Sequence, residues 1–181
     1  VTPTHYIPLI KEGLILAKKK GLKIPVVYNS SAYENVDALK ELDGLIDIYL
    51  PDFKYWSDEK AIKYSKAYNY REVAKNAIKE MYRQVGKFTV NNMGIMEKGV
   101  IVRHLMLPEM ESDTKKIIEY LYSTYQDNIF ISIMNQYTNV RKLDYKELND
   151  TINEKTYDEI IDYAYDLGVR NAFVQDGETQ K

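Results

Sequence analysis

The chain has 181 residues, of which 45% are hydrophobic, which is enough for one compact domain with a buried core. Its 25 basic and 27 acidic residues are intermixed and leave a net charge of −2, so the sequence lacks the broad positive field that binds nucleic acid. Cysteine is absent, which excludes disulfides, and with only two histidines we expect no metal site built from these residues alone. No apolar run approaches the roughly 20 residues that span a bilayer and the amino end does not resemble a signal peptide, so we expect a cytoplasmic protein.

Helical patterns recur along the whole chain. Apolar spacing predicts five main helices, over 3–20, about 33–42, 70–85, 113–125 and 154–167. The strongest pattern is that of 70–85, which Gly86 ends. Ser57, followed by two acidic residues, marks the start of a further helix.

Extended runs separate the helices. They cover 24–28, 46–50, 100–107, 129–134 and 172–174, and a small hairpin of unknown role is predicted over 87–98. Strands that alternate with helices predict an α/β fold of four or five parallel strands, as an open barrel or a doubly wound sheet. Val1 and Thr2 resemble the end of a strand, so we expect the natural protein to begin further upstream, which favours the barrel.

Polar residues are found at or near the ends of four of these runs, namely Asn29-Ser30-Ser31, Asp52-Phe53-Lys54, Arg103-His104 and Asn135-Gln136. The carboxyl ends of parallel strands meet at one edge of a sheet, and ligands bind there. The sequence therefore predicts one shared site for a small molecule.

Asp52 and Lys54 are two residues apart, so strand alternation turns both side chains to the same face. A carboxylate beside an ammonium can bind ribose hydroxyls or orient a cationic ligand, although a structural ion pair would have the same pattern. Arg103 and His104 alternate, so only one of them faces the interior. We expect Arg103 to pair with Asp52 or Asp47, and His104 to pack against a covering helix.

Three other segments offer neutral groups. Asn29 and Ser30 provide donors and acceptors, but such residues also form turns. The first helical turn, Thr2-Pro3-Thr4-His5, has free backbone N–H groups suited to a carboxylate or phosphate, and plain capping explains it equally well. The amides of Asn135 and Gln136 could contact an adenine edge or a ribose. The chain has no G-x-S-x-G elbow, no Walker loop and no G-x-G-x-x-G.

Five blocks of sequence carry a family resemblance: Thr2-Pro3-Thr4-His5-Tyr6, Val27-Tyr28-Asn29-Ser30-Ser31, Asp47 to Tyr55 (DIYLPDFKY), Val102 to Pro108 (VRHLMLP) and Ile131 to Tyr137 (ISIMNQY). In order and spacing they resemble successive strand ends of radical S-adenosylmethionine proteins, in the group related to pyruvate formate-lyase activating enzyme. The resemblance covers nearly the whole chain, and the blocks are specific only when taken together.

The resemblance implies a partial (β/α)6 barrel, here truncated, with S-adenosylmethionine and a 4Fe-4S cluster at its open top. Position by position it implies that Pro3-Thr4-His5 meets the methionyl amine of the cofactor and that Asn29 and Ser30 lie near its methionyl group. Asp52 and Lys54 would hold the cofactor, Arg103 and Leu105 would line the next strand, and Asn135 or Gln136 would lie near the ribose or adenine. No catalytic residue is assigned.

The resemblance further implies reductive cleavage of S-adenosylmethionine to a 5'-deoxyadenosyl radical, then hydrogen abstraction from a protein or peptide substrate. An electron donor such as flavodoxin or ferredoxin would be required. The C-x-x-x-C-x-x-C cluster motif of the family precedes the part that matches, so residues 1–181 are expected to be one domain, a carboxyl-terminal portion that is inactive alone. A glycine of the family is also missing at Ala32, and Glu109 rather than glycine follows Pro108.

Two other functions remain open. A cofactor-free barrel lyase could use Lys54 as a proton donor or Schiff-base amine beside Asp52. A non-catalytic domain that binds S-adenosylmethionine, or serves for interaction, would retain the fold without the cluster.

Overall fold

A computed structural model of the chain describes residues 2–138 and 142–175. Within these two ranges, six strands form one sheet: β1 (Val27–Ser30), β2 (Ile48–Pro51), β3 (Thr89–Val90), β4 (Met96–Leu105), β5 (Phe130–Met134) and β6 (Ala172–Phe173). The same described residues form six α-helices: α1 (Ile7–Lys19), α2 (Val36–Lys40), α3 (Asp58–Ser65), α4 (Tyr70–Val85), α5 (Glu111–Tyr125) and α6 (Glu154–Leu167). Short 3-10 turns cover Thr4–Tyr6, Gln126–Asn128 and Lys146–Asn149.

Five of the strands are parallel, in the order β1-β2-β4-β5-β6, and β3 pairs antiparallel with β4 outside this path. Within the described ranges the sheet is open, since β1 and β6 are not paired with each other. The predicted α/β fold with about five parallel strands is therefore confirmed, and its open sheet agrees with a partial barrel. Val1, where the end of an earlier strand was expected, lies outside the described residues.

Side-chain caps set several helix starts. Asn35 accepts hydrogen bonds from the Asp37 and Ala38 amides before α2, Ser57 accepts one from Lys60 before α3, and Asn153 accepts one from Thr156 before α6. α4 and α6 have the predicted bounds, and Gly86 and Gly168 follow them with positive φ.

The helices cover one face of the sheet. Val102, Ile131 and Ile133 point to this face and are fully buried, in one cluster with Ile78 of α4 and Ile118 of α5. The alternate residues of the same strands, such as Ile101 and Leu105, remain partly exposed on the opposite face. The sheet thus has a packed face and an open face.

No helix within 2–138 or 142–175 is long and apolar enough to cross a membrane.

Candidate functional site at the carboxyl ends of the strands

Four polar side chains from three strand ends meet on the open face of the sheet. The Arg103 guanidinium donates through Nε to Asp52 Oδ1 at 2.7 Å and through Nη2 to Asn29 Oδ1 at 2.8 Å. Lys54 Nζ donates to Asp52 Oδ2 at 2.8 Å. We call Asn29, Asp52, Lys54 and Arg103 the strand-end cluster. Asp52 is the partner that the sequence offered for Arg103.

Parallel pairing explains why these residues meet. β1 pairs with β2 up to Ser30 and Pro51, and a further parallel bridge joins Asp52 to Arg103. The Asp52 amide donates to Ser30 O at 2.9 Å, so the segment after β2 continues along both neighbours. Side chains two residues apart then share a face, which places Asn29, Asp52 and Arg103 side by side.

The strand-end cluster has two cations and one carboxylate. Side-chain exposure is 37% for Lys54, 27% for Arg103 and 19% for Asp52, so solvent or a ligand can reach all three. Both carboxylate oxygens of Asp52 are already engaged by the two cations. The positive charge that remains suits an anionic group of a ligand, such as a carboxylate.

Two side chains, those of His104 and Tyr70, form hydrogen bonds to the backbone between Asp52 and Lys54. His104 Nδ1 lies 2.7 Å from Phe53 O, and its Nε2 lies 2.9 Å from Thr114 Oγ1 on α5. The Tyr70 hydroxyl accepts from the Lys54 amide at 2.9 Å and contacts Asp52 O at 2.8 Å. His104 is 2% exposed, and its burial lowers its pKa to about 4. It packs against a covering helix, as its place in the strand indicates.

The side chains of Ser30 and Thr4 contact residues outside the strand-end cluster. Ser30 is buried, and its hydroxyl accepts from the Ala32 amide at 3.1 Å, which is the turn role that the sequence left open. Thr4 donates to Glu34 Oε1 at 2.7 Å and is hydrogen-bonded to Thr2. His5 is exposed and Pro3 partly buried in the same turn.

Glu34 is a buried acid that no sequence motif marks. It is 4% exposed, and desolvation raises its pKa while the hydroxyl of Thr4 opposes this effect. Within the part of the chain that the structure describes, Glu34 Oε2 has no hydrogen-bond partner. It lies just before α2, inside a stretch predicted as helix, so nothing in its spacing marked it.

A second polar group lies at the ends of β5 and β6. The backbone N–H of Asn135 donates to Gln175 Oε1 at 3.1 Å, and Gln175 Nε2 donates to Gln136 Oε1 at 3.0 Å. The sheet order places β4 between this amide group and the ends of β1 and β2. Leu105, on β4 beyond Arg103, turns to the same open face. Gln175 and Tyr70 are the members of the site region that sequence reasoning missed.

Comparison with known proteins supports the fold. No protein-family model matches the chain. A domain of a pyruvate-formate lyase-activating enzyme from Bacteroides vulgatus superposes with a TM-score of 0.67, over 96% of this chain and 94% of that domain, at 14% sequence identity. The two chains share a fold. The family resemblance drawn from the sequence is thus confirmed at the level of architecture.

A sequence relative is an uncharacterized protein from Methanocaldococcus jannaschii. It is 32% identical over 157 residues, which is 86% of this chain. The match covers 40% of the relative, so the chain spans about two fifths of its length.

Proposed function

We propose that this chain forms the S-adenosylmethionine-binding part of a radical S-adenosylmethionine enzyme related to pyruvate formate-lyase activating enzyme. The observation that carries the proposal is the strand-end cluster, in which residues from three separate sequence blocks of the resemblance are joined by direct hydrogen bonds. The shared fold adds support.

The residues present fit S-adenosylmethionine. Lys54 and Arg103 would hold its carboxylate, and Asn29 offers an amide close to them. Asn135 and Gln136 would meet the ribose or adenine, and Leu105 offers apolar contact between the two polar groups. The chemistry that this cofactor supplies in such enzymes is reductive cleavage followed by hydrogen abstraction. The chain's own part is to bind and orient it.

The residues do not fit the iron–sulfur cluster. The chain has no cysteine, and among the described residues no group of three or more His, Asp or Glu side chains could hold a metal ion. The 4Fe-4S cluster of the proposed enzyme would need ligands that these 181 residues do not supply. A protein or peptide substrate, an electron donor such as flavodoxin or ferredoxin and a cytoplasmic location belong to the same proposal.

Calorimetric titration of this chain with S-adenosylmethionine tests the proposal. We expect binding that weakens about tenfold or more in Asp52→Asn and in Lys54→Met, because each loses a charge-assisted hydrogen bond of the cluster. The matched control is Asp37→Asn, which breaks an exposed Lys40–Asp37 pair of the same 2.8 Å length on α2. Equal affinity in all four proteins would refute the assigned site.

A separate experiment distinguishes the cofactor-free lyase from a protein that binds S-adenosylmethionine. A lysine that forms a Schiff base must present a free amine to the carbonyl carbon, whereas Lys54 Nζ is paired with Asp52 Oδ2 at 2.8 Å. Borohydride trapping of a carbonyl substrate on Lys54, together with no binding of S-adenosylmethionine, would favour the lyase.

A further inference from the structure

The peptide unit between Phe53 and Lys54 is held at both of its polar atoms. Its carbonyl oxygen lies 2.7 Å from His104 Nδ1, and its N–H donates to the Tyr70 hydroxyl at 2.9 Å. One residue earlier, the Phe53 amide donates to Arg103 O at 2.8 Å. The backbone that joins Asp52 to Lys54 therefore has few ways to rotate.

The hydrogen positions on His104 follow from its partners. A carbonyl oxygen only accepts, so Nδ1 must carry a hydrogen and donate it to Phe53 O. The ring is neutral at pH 7, since burial lowers its pKa to about 4, and Nε2 is then an acceptor. The Thr114 hydroxyl donates to Nε2 in this state, although Met110 O lies 3.2 Å away as its other possible acceptor.

The two ring nitrogens thus have different tasks. Nε2 ties the ring to α5 through Thr114, which is a packing contact within the buried core. Nδ1 ties the ring to the segment whose flanking side chains form the Lys54–Asp52 pair. Loss of the Nδ1 bond would leave the Phe53 carbonyl buried without its donor and free the peptide unit to turn.

We propose that His104 is a positioning residue, whose Nδ1–H fixes the Phe53–Lys54 peptide unit and so aims Asp52 and Lys54 at the ligand. This rests on the proposed function, in which Asp52 and Lys54 contact S-adenosylmethionine. His104 is buried on the packed face of β4, opposite the face of the strand-end cluster, so it would act through the backbone between Asp52 and Lys54.

Two substitutions separate the tasks of the ring. The amide nitrogen of asparagine falls near the position of Nδ1, and that of glutamine near Nε2. His104→Asn can therefore still donate to Phe53 O, whereas His104→Gln reaches Thr114 and leaves Phe53 O without a donor. Thr114→Val is the control that removes the contact between Nε2 and α5 and leaves the Nδ1 bond in place. All three variants lose some stability, so loss of stability alone does not decide the matter.

Calorimetric titration with S-adenosylmethionine at pH 7.5 provides the first measurement. We expect His104→Gln to bind about tenfold more weakly than the wild type, and His104→Asn and Thr114→Val to stay within about threefold of it. Equal losses in the asparagine and glutamine variants, or no loss in either, would overturn the positioning role.

Amide hydrogen exchange of Lys54 provides a measurement that needs no ligand. We expect the Lys54 amide to exchange about tenfold faster in His104→Gln than in His104→Asn, relative to the Ile133 amide of β5 in the same proteins. If the wild type does not bind S-adenosylmethionine, the proposed function fails, and the exchange comparison still decides whether His104 fixes this peptide unit. Equal exchange in the two variants would overturn the inference.

Discussion

Arg103 joins the ends of β1 and β2 through a single side chain. Its planar group reaches Asp52 through Nε and Asn29 through Nη2, and these directions diverge by the fixed geometry of a guanidinium. A lysine ammonium at this position could meet one acceptor well but not both. The strand-end cluster therefore depends on the guanidinium shape as well as on its charge.

The first prediction concerns this shape. We expect Arg103→Lys to lower the free energy of unfolding by about 1–3 kcal/mol, because at least one charge-assisted hydrogen bond at a partly buried site is lost. Urea denaturation at pH 7 measures the change. Lys40→Ala, at an exposed surface pair, is the control and should leave the free energy of unfolding nearly unchanged. A similar value for both variants would contradict the prediction.

The second prediction concerns the pH dependence caused by His104. Its pKa is about 4 in the folded chain and about 6.5 when unfolded, so between these values the unfolded chain binds the extra proton. The contribution of neutral His104 to the free energy of unfolding is therefore complete above pH 6.5. It is lost as the pH falls towards 4, which lowers the free energy of unfolding by up to about 3 kcal/mol. Urea denaturation across this range should show a smaller decline in His104→Asn than in the wild type. Parallel declines would contradict the assignment.

At the scale of residues, the sequence predicted which side chains share a face of the sheet, because strand alternation determines this. Arg103 and His104 do lie on opposite faces, and Asp52 is the partner of Arg103, because period-2 geometry is local. Tyr70 was expected only as a helical residue, although its hydroxyl holds the Lys54 amide. That contact joins residues 16 positions apart, and no spacing rule encodes it.

At the scale of elements, the largest difference from the predicted pattern is the hairpin near 87–98. Its second arm is the beginning of β4 itself, which runs without interruption from Met96 to Leu105. Asn91 forms the turn, since its side chain accepts from the Met93 and Ile95 amides. Phe88 packs beside Gly99, and the centroids of the Phe88 and Phe130 rings are 4.7 Å apart. The hairpin places aromatic rings at the amino end of the sheet, away from the strand-end cluster.

Strand and helix bounds also differ from the predicted ones for local reasons. β1 begins at Val27 rather than residue 24, and proline, which has no backbone N–H to donate, occupies position 25. α1 begins at Ile7, with Pro8 in its first turn, because Thr4–Tyr6 form a 3-10 turn before it. Such offsets of a few residues leave the polar strand ends in place.

The third prediction uses two glycines in opposite situations. A Cβ on Gly99, which has φ of +144°, would lie 2.6 Å from Phe88 Cβ and 2.9 Å from its Cα. We expect Gly99→Ala to destabilise the protein by about 1–3 kcal/mol, through strain and displacement of the hairpin. Gly13 lies within α1 with no heavy atom within 4 Å of an added Cβ, so Gly13→Ala should stabilise by about 0.5–1 kcal/mol. Thermal unfolding of both variants measures the difference, and the same sign for both would contradict it.

At the scale of the whole molecule, the two faces of the sheet have different roles. The packed face includes the core between the strands and the helices, where side chains such as Val102 and Ile133 are fully buried. The open face has Val27 and Phe173 about half exposed at its two edges, with the polar strand ends between them. Alternation along each strand could be predicted from the sequence, but which face the helices cover follows from right-handed crossovers and long-range packing.

The last prediction compares substitutions on the two faces of neighbouring strands. Ile133 on β5 and Leu105 on β4 are one ladder position apart, since Leu105 pairs with Met134. Ile133→Ala leaves a cavity in the buried core and should lower the free energy of unfolding by about 2–5 kcal/mol. Leu105→Ala removes a partly exposed side chain and should cost less than half as much, while it weakens binding of S-adenosylmethionine more than Ile133→Ala does. Urea denaturation and calorimetric titration of both variants measure these effects. If Leu105→Ala lowers the free energy of unfolding as much as Ile133→Ala does, the sheet face that includes Leu105 is covered in solution. The candidate site would then have to be placed elsewhere.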